Sequence, residues 1–419
     1  PLFVLDRRLW GPAGQARRAH LVASLTDLGD RIGGLQIRRG DPVEEVVSVA
    51  RAARAARVYV TEDFGPYGRR RDDLVEAALA QHDIELVRSG TPYAVPPGSV
   101  LNGSGESYQV FTPFSRAWKA RGWPAPIDLA TKPTWTRPLR SHDLYDVSPA
   151  ADLRLPAAGE QAARRRWSAF LQNRLDGYGA DRNRPDLDRT SRMSVHLKWG
   201  EIHPRTMLAD LAGRSDDDAA RFRTELVWRE FYADVLWRRP ETAREYLKPE
   251  FARMAHDPPG ERFVAWCEGQ TGYPIVDAGM RQLRSEGWMH NRVRMIVASF
   301  LVKDLHIEWQ HGARHFMNHL VDGDLASNQH GWQWTAGCGT DAAPYFRVFN
   351  PTTQGKRFDP DGDYVRRYVA ELRDWDATTI HEPWKCGAGQ ANYTTPIVDH
   401  AEERRESLQR FESINSGRR

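Results

Sequence analysis

The spacing of apolar and polar residues divides the chain into two regions. Up to about residue 115, short runs rich in Val, Ile and Leu alternate with amphipathic helical segments. Four of these runs predict β-strands: "LFVLD", "LQIRRG", "RVYVTED" and "IELVRSG". Between them, "DPVEEVVSVARAARAA" offers Asp41 as a helix N-cap and Pro42 at the first helical position, and "RRDDLVEAALAQH" has the same helical period. The alternation predicts a Rossmann-like α/β domain with a parallel sheet.

The rest of the chain follows a different pattern. Residues 121–160 are rich in Pro, Ala and charge, which is typical of a connector, and beyond them almost every segment has a helical period. The chain also opens on a strand, as though a strand–helix unit of roughly 30 residues were absent before it. We therefore expect an α/β domain over residues 1–120 that lacks its first strand, and a larger all-α domain over 161–419.

Composition restricts the class of protein. The 419 residues are 40% hydrophobic and 27% charged, and no apolar stretch approaches the roughly 18 residues that a membrane helix needs. The three cysteines lie far apart without metal-ligand spacing, which favours a reducing cytoplasm over a disulfide framework. A net charge of +3 is only mildly basic, but arginines clustered on one face can still bind nucleic acid.

Tryptophans are concentrated in the helical region, and their side chains have two possible roles. The stretch "NQHGWQW" places Trp332 and Trp334 two positions apart, so that in a helix they point to different faces. Core packing is one interpretation, because tryptophan is usually highly buried. Stacking on the rings of bases or of a cofactor is the other.

Two polar motifs could bind a phosphorylated ligand. In "TSRMS", Thr190 to Ser194, hydroxyl groups flank Arg192 and could donate hydrogen bonds to phosphate oxygens, although such a string is also typical of a helix cap. In "DGD", Asp322 and Asp324 flank Gly323. This pair could bind a metal, a ribose or an arginine, for which Arg294 is a candidate, or it could form a tight loop.

Two helical motifs combine polar and aromatic side chains on one face. In "ELVWREFY", Glu225, Trp228 and Arg229 share a face, and a carboxylate beside an indole suits a pyrimidine ring. In "WMHNRVRM", Asn291 shares a face with Met295, and Trp288 shares one with Arg292. The amide could contact a base edge and the thioether a ring. Core packing remains an alternative for each helix.

Together these motifs resemble one family over nearly the whole chain. The similarity rests on "ELVWREFY", "TGYPIVDAGMRQLRSEGWMHNRVRMIVASFLVKDL", "DGDLASNQHGWQW", "GTDAAPYFRVFNPTTQGKRFDPDGDYVRRY" and "HEPWK". These segments resemble the photolyase/cryptochrome family, and most closely the class I cyclobutane pyrimidine dimer photolyases. The resemblance implies a flavoprotein lyase in which excited reduced FAD passes an electron to a flipped-out dimer in DNA and then regains it.

The resemblance also implies a role for individual residues. The FAD contacts would be Tyr178, Thr190, Ser191, Arg192, Met193, Ser194, Arg229, Arg294, Asp322, Gly323, Asp324 and Asn328. The DNA contacts would be Arg182, Glu225, Trp228, Asn291, Arg292, Met295, Trp334 and Gln354. Catalysis would use Glu225 and Asn328, with Trp332 and Trp309 as the inner and middle stations of an electron relay.

The implied protein is a monomer that acts on damaged double- or single-stranded DNA, without metal or membrane. In the cell it would be cytoplasmic, and associated with the nucleoid when bound.

The sequence departs from the family pattern at two positions. The outer tryptophan of the relay is replaced by His256, and imidazole is a poor one-electron donor, so we expect slower photoreduction or a route through another aromatic residue such as Trp237. At the antenna site, Gly68 stands where folate-using members have glutamate. "PYGRRRD" is closer to members that bind 8-hydroxy-5-deazaflavin, so we expect that pigment or an empty site in preference to methenyltetrahydrofolate.

The alternatives to this function are a (6-4) photolyase, a cryptochrome and a DNA-binding flavoprotein of another kind. A (6-4) photolyase would carry histidines at Asn291 and Met295. A cryptochrome, which signals blue light, shares the fold and FAD but tends to lose pocket residues such as Trp228 and Trp334 or to carry a long C-terminal tail. A DNA-binding flavoprotein of unrelated redox function has only composition in its favour.

Overall fold

The computed structural model describes residues 1–127, 133–136, 139, 141–340, 346–386 and 392–415. Parts of the predicted connector and of the motif that begins "GTDAAPYF" lie outside these residues. The chain divides into two compact units that are interleaved along the sequence. The first comprises Pro1–Ala150, Pro156–Asp176 and Ser191–Pro240, and the second comprises Ala151–Leu155, Gly177–Thr190 and Glu241–Arg419.

Helices dominate the described part of the chain. In order they are α1 (Arg7–Trp10), α2 (Gln15–Ile32), α3 (Pro42–Ala52), α4 (Pro66–Ala80), α5 (Phe111–Arg121), α6 (Glu160–Asn173), α7 (Tyr178–Asp181), α8 (Ser194–Trp199), α9 (Pro204–Asp210), α10 (Asp217–Arg238), α11 (Glu261–Glu268), α12 (Pro274–Glu286), α13 (Asn291–Ser299), α14 (Trp309–His319), α15 (Leu325–Ala336), α16 (Pro351–Phe358), α17 (Asp363–Tyr368) and α18 (His400–Asn415). Short 3-10 turns span Pro240–Ala243, Pro249–Arg253, Ala370–Leu372 and Pro383–Cys386, and a π-helical turn at Phe300–Asp304 extends α13. None of the described helices combines the length and apolar character that crossing a membrane requires.

The four predicted strands are present in the first unit. They are β1 (Leu2–Asp6), β2 (Gln36–Gly40), β3 (Arg57–Val60) and β4 (Glu85–Arg88). Among the described residues they form two parallel pairs: β1 pairs with β2 and β3 with β4. Helices connect them in the order that the sequence predicts, because a parallel connection needs a crossover element. Small apolar clusters pack beneath each pair: Leu5, Leu25 and Ile37 in one, and Ala50, Val75, Leu79 and Ile84 in the other.

Local capping explains where the helices of this unit begin. The Asp41 side chain accepts a hydrogen bond from the Val43 backbone N–H at 2.9 Å, and Pro42 occupies the first turn, so the predicted start of α3 is confirmed. Helix α4 begins earlier than the "RRDDLVEAALAQH" period predicts. Its first residue is Pro66, whose fixed φ suits the first helical position, with Gly65 as N-cap.

A buried carboxylate fixes α10 within the first unit. Glu230 accepts hydrogen bonds from the backbone N–H groups of Ala94 (2.6 Å) and Val95 (3.0 Å), and from the indole of Trp118 (3.0 Å). Burial nevertheless raises its pKa, because desolvation outweighs these three donors. The contacts hold α10 in a fixed rotation, which determines where its remaining side chains point.

The second unit is built around one large apolar core from Tyr246 to Ile414. Helices α14 and α15 cross closely inside it at Gly312, where a Cβ would lie only 2.2 Å from the Trp332 ring. Glycine is therefore required for this approach rather than for its backbone freedom. The close crossing brings the "NQHGWQW" motif of α15 into the centre of the unit.

Candidate functional site

An ion pair joins two residues that the sequence proposes as partners. Arg294 Nη2 donates to both oxygens of Asp322, at 3.1 and 2.8 Å, and Arg294 Nε donates to the Met289 carbonyl at 2.8 Å. The Asp322 side chain is 1% exposed and that of Arg294 is 25% exposed. The predicted contact is confirmed. A carboxylate this deeply buried is stable only when paired, so the arginine is held in place while part of it stays accessible.

The rest of the "DGD" motif forms the start of α15. Asp324 is the N-cap, and its side chain accepts a hydrogen bond from the Ser327 backbone N–H at 2.8 Å. Gly323 is buried between the two carboxylates. Within the described residues, no group of three or more His, Cys, Asp or Glu side chains is suited to hold a metal ion.

Asn328 has a defined amide orientation. Its Nδ2 donates to the Ala313 carbonyl at 3.1 Å and to Gln329 Oε1 at 2.8 Å. Because both N–H groups are used within the protein, the side-chain oxygen is the atom left to accept a hydrogen bond. A site with this geometry accepts a hydrogen bond and therefore selects for an N–H or O–H donor.

The two tryptophans of α15 have different surroundings. Trp332 is 3% exposed and packs edge-to-face against Phe316 at 5.0 Å and Trp266 at 6.1 Å between ring centroids. Trp334 is half-buried. The expectation that they point to different faces of the helix agrees with this difference. Trp309, the first residue of α14, is fully buried, with the ring of Tyr246 6.1 Å away at 83°.

Arg292 lies close enough to two other arginines of the second unit for their charges to oppose its own. Burial lowers the pKa of Arg292, and the charges of Arg182 and Arg357 lower it further. Asn183 Oδ1 accepts from Arg292 at 2.9 Å, and the Phe358 ring lies under its guanidinium at 4.5 Å. Sequence reasoning missed Arg357. Its signal was the spacing of three residues from Gln354 on α16, which places both on one face.

The remaining predicted residues of this unit differ in how deeply they are buried. On α13, Asn291 is exposed and Met295, one turn later, is half-buried. Tyr178 is buried at the start of α7, with the Arg182 guanidinium 5.9 Å from its ring. Gln354 and Thr190 are half-buried.

The predicted dimer-contact residues of the first unit lie on α10. Glu225 and Trp228 are both half-buried. Trp228 stacks face-to-face on Phe111, with ring centroids 3.6 Å apart and an interplanar angle of 3°. Phe111 begins α5 and was not predicted, because nothing in its local sequence indicates this partner. One face of the Trp228 indole is therefore covered from within the unit.

The predicted FAD contacts of the first unit are Arg229 and residues 191–194. Arg229 donates to the carbonyls of Pro92 (3.1 Å) and Leu197 (3.4 Å), and its guanidinium lies over the Tyr93 ring at 4.4 Å. In the "TSRMS" run, the Ser191 hydroxyl accepts from the Met193 backbone N–H at 3.3 Å.

The backbone of that run is unusual at one residue. Arg192 has a positive φ of 53°, which few residues other than glycine adopt. Met193 is buried, and the exposed Ser194 begins α8.

The structure also places the two departures from the family pattern. His256 is half-buried, and burial lowers its pKa against the opposing charge of Glu308. Gly68 lies so close to Asp63 that a Cβ at this position would be 1.9 Å from the Asp63 carboxylate oxygen. A glutamate could not occupy position 68 without moving Asp63.

Comparison with known proteins identifies the family. Residues 1–133 match the family described as DNA photolyase, and residues 222–413 match the FAD binding domain of DNA photolyase. A deoxyribodipyrimidine photo-lyase of Escherichia coli (strain K12) is 38% identical over 453 residues, covering 100% of this chain and 93% of that protein. The chain belongs to the DNA photolyase family, and its helical part contains the family's FAD-binding domain.

Solved structures confirm the fold class. A class III photolyase from Agrobacterium tumefaciens has a TM-score of 0.92 and 35% identity, with 99% of this chain and 92% of that one covered. An archaeal photolyase from Sulfolobus tokodaii, described with two FAD molecules, has a TM-score of 0.86 and 29% identity, with 99% and 93% covered. The predicted α/β antenna domain followed by an all-α FAD-binding domain is confirmed by these neighbours.

Proposed function

We propose that this protein repairs cyclobutane pyrimidine dimers in DNA by light-driven electron transfer from reduced FAD. The observation that carries the proposal is the buried Arg294–Asp322 pair together with the oriented amide of Asn328, all within the match to the FAD-binding domain. When bound, the flavin supplies an electron on excitation and takes it back after the ring is split, so the reaction has no net redox change. The enzyme is a lyase.

The residues of the second unit suit the reduced, anionic form of that cofactor. Arg294 keeps its positive charge partly accessible while Asp322 fixes it, and a fixed cation stabilises negative charge on the flavin ring. By the family resemblance Asn328 would lie near N5 of the flavin, where its oxygen could accept a hydrogen bond from the N–H that only the reduced ring carries. Oxidised flavin would present an acceptor to this oxygen. In the first unit, Arg192 and the hydroxyls beside it suit the diphosphate.

Lesion recognition uses aromatic faces and an acid. Trp228 can stack a base only on the face opposite Phe111, and the half-buried Trp334 offers a second indole. Glu225 accepts the imide N–H of a pyrimidine, while Asn291 and Met295 contact base edge and ring. Flipping the lesion out of the duplex costs a few kcal/mol, and least for a damaged pair, which favours damaged over intact DNA.

Phosphate binding uses the cluster of Arg182, Arg292 and Arg357. The charges of Arg182 and Arg357 oppose that of Arg292, and a phosphate of the DNA backbone would offset this opposition. Gln354 lies on the same helix face as Arg357 and adds a polar contact. We propose that the protein acts as a monomer on damaged double- or single-stranded DNA.

The antenna pigment we propose is a deazaflavin, or none. By the family resemblance, folate-using members have a glutamate where this chain has Gly68, and Asp63 occupies the space that a side chain at this position would need. The Sulfolobus tokodaii neighbour is described with two FAD molecules, which supports a flavin-type pigment over a folate. An absorption spectrum of the purified protein separates a folate from a flavin-type pigment.

Illumination of the reduced protein with a dimer-containing oligonucleotide tests the proposed function. We expect dimers to disappear under blue light and to persist in darkness. Persistence in the light, with FAD bound, would favour a cryptochrome-type photoreceptor instead. An oligonucleotide with a (6-4) photoproduct is the control, because Asn291 and Met295 stand where that activity would need histidines.

A further inference from the structure

Tyr246 lies next to Trp309, the middle station of the electron relay that the resemblance implies. The outer tryptophan of that relay is replaced by His256 in this chain. The Tyr246 ring centroid is 6.1 Å from that of Trp309, at 83°, and the Tyr246 side chain is largely buried. Its hydroxyl donates to Glu308 Oε1 at 2.7 Å. His256, the residue at the outer position by resemblance, lies within electrostatic reach of the same carboxylate. The phenol is therefore paired with a proton acceptor beside the middle tryptophan.

Trp309 and Tyr246 differ in whether a proton acceptor is hydrogen-bonded to the side chain. The buried Trp309 Nε1 has no hydrogen-bond partner among the described residues. An oxidised indole that cannot release its proton remains a radical cation, which is a stronger oxidant than the neutral radical. A phenol, in contrast, becomes strongly acidic on oxidation, so it loses an electron readily only where a base can accept its proton. Glu308 is that base for Tyr246.

We propose that Tyr246 is the outer electron donor of this protein and that Glu308 accepts its proton. One electron passes from Tyr246 to the Trp309 radical cation, and the phenolic proton moves to the Glu308 carboxylate. The products are neutral Trp309, a neutral Tyr246 radical and a protonated Glu308, so charge and electrons balance. The initial oxidant is the light-excited oxidised flavin, acting through Trp332, and the inference therefore rests on the proposed function.

The surroundings of Tyr246 and Glu308 favour transfer of the phenolic proton from the tyrosine to the carboxylate. Burial, and then the hydrogen bond to Glu308, raise the pKa of Tyr246 far above its usual value, so the phenol stays protonated until it is oxidised. Glu308 precedes Trp309 at the start of α14 and is half-buried, which leaves the proton a path to water. Burial lowers the pKa of His256, so its imidazole is a weaker base than usual and Glu308 remains the acceptor of the phenolic proton.

Other aromatic residues are less suited to the role. Trp237, a candidate from the sequence, belongs to the first unit and has the guanidinium groups of Arg69 and Arg238 each 5.3 Å from its ring. Two cations there oppose formation of an indole radical cation. Trp266 contacts Trp332, but its Nε1 donates to the Val297 carbonyl, which cannot accept a proton.

Flash spectroscopy of the FAD-loaded protein tests the proposal. In the wild type we expect the tryptophan radical signal to convert into that of a neutral tyrosyl radical, with a solvent deuterium isotope effect on this step. Ring-deuterated tyrosine should narrow the corresponding electron paramagnetic resonance signal. Tyr246→Phe should abolish the tyrosyl signal and lower the yield of stable flavin photoreduction several-fold. Glu308→Gln keeps a hydrogen-bond acceptor but not a base, and should slow tyrosine oxidation several-fold.

Two further variants make the result decisive. Tyr273→Phe is the matched control, because the Tyr273 hydroxyl is also buried but donates to a backbone carbonyl, that of Val398, at 2.9 Å. It should leave the tyrosyl signal unchanged. His256→Trp, introduced into the Tyr246→Phe protein, should restore photoreduction by supplying an indole at the outer position.

A tyrosyl signal that survives Tyr246→Phe, or an oxidation rate that is unchanged in Glu308→Gln, would overturn the assignment. Repair by the chemically reduced wild-type protein is measured in parallel. Its absence would contradict the proposed function instead, because repair from reduced flavin does not require Tyr246.

Discussion

At the scale of single residues, Asn328 illustrates how an orientation becomes a chemical preference. Its amide nitrogen donates to Ala313 and Gln329, so its oxygen is the atom left to accept a hydrogen bond. An isolated asparagine would present either atom equally well. The two internal hydrogen bonds thus make the position specific for a hydrogen-bond donor.

Asn328→Asp tests this orientation. The substituted carboxylate has no N–H to donate. The Ala313 carbonyl and the Gln329 side-chain oxygen therefore lose their hydrogen-bond donor and face a negatively charged oxygen instead. We expect a loss of about 1–3 kcal/mol in the free energy of unfolding, as for other broken buried hydrogen bonds. Denaturant unfolding measures it, with Asn291→Asp on the exposed side of α13 as the control. Equal stability of the two variants would contradict the predicted orientation.

The aromatic contacts to the lesion are a second residue-scale prediction. Trp334→Ala and Trp228→Ala should each weaken binding of dimer-containing DNA by about 1–3 kcal/mol, the usual contribution of one base stacked on an aromatic ring. Titration of a labelled oligonucleotide measures the affinity. Because Phe111 supports one face of Trp228, Phe111→Leu should have a smaller effect in the same direction. A variant whose affinity for damaged DNA is unchanged would remove that tryptophan from the binding site.

At the scale of elements, the crossing of α14 and α15 determines the depth of Trp332. The two helices approach closely because Gly312 has no side chain. Gly312→Ala would place a methyl group against the Trp332 ring, and overpacking of this kind costs about 1–3 kcal/mol. We expect a lower melting temperature and, in the FAD-loaded protein, altered quenching of flavin fluorescence.

Gly331→Ala is the matched control for that prediction. Gly331 lies on the same helix as Trp332, and its Cβ would meet open space. Alanine is the better helix former there by about 0.5–1 kcal/mol, so this variant should be slightly more stable than the wild type. If both variants melted at the same temperature, the tight crossing at Gly312 would be disproved.

His330, in the centre of the "NQHGWQW" motif, gives α15 a pH dependence. Its Nδ1 lies 2.8 Å from the Ala326 carbonyl and its Nε2 lies 3.0 Å from the Thr242 hydroxyl, and burial lowers its pKa to about 4. The unfolded chain takes up a proton near pH 6.5, but the folded chain does so only near 4. The stability that the neutral imidazole contributes is therefore fully present above 6.5 and is lost as pH falls through 4.

Unfolding measurements between pH 7 and pH 4 test this expectation. The wild type should lose on the order of 3 kcal/mol over this range through His330 alone, from the size of the pKa difference. His330→Gln, which cannot titrate, should lose correspondingly less. Parallel pH profiles for the two proteins would rule out a depressed pKa at this position.

The sequence predicts the local features of a helix better than it predicts contacts between elements that are far apart in the chain. The start of α3 followed from Asp41 and Pro42 because capping depends on neighbours within one turn. The Arg294–Asp322 pair could be proposed from complementary charge. Phe111 under Trp228 and Tyr246 beside Trp309 could not, since those partners are brought together by packing of elements far apart in the chain.

At the scale of the whole molecule, a net charge of +3 conceals an uneven distribution. Many arginines are matched by carboxylates; Arg214, for example, contacts both Asp176 and Asp216. Arg292 differs, because the charges of Arg182 and Arg357 in the same cluster oppose its own. Affinity for DNA should therefore depend on this cluster rather than on overall charge.

The salt dependence of DNA binding tests that conclusion. Each arginine that neutralises a phosphate releases counterions, and losing one such contact should make the slope of log affinity against log salt shallower by about 0.9. Arg357→Gln should show this change together with weaker binding of damaged and undamaged DNA alike, because a phosphate contact carries no sequence or lesion information. Arg214→Gln, which removes a charge already matched by two carboxylates, should leave the slope unchanged. If Arg357→Gln retained the wild-type slope, Arg357 would not contact the DNA backbone, and the repulsion within the cluster would need another anion to offset it.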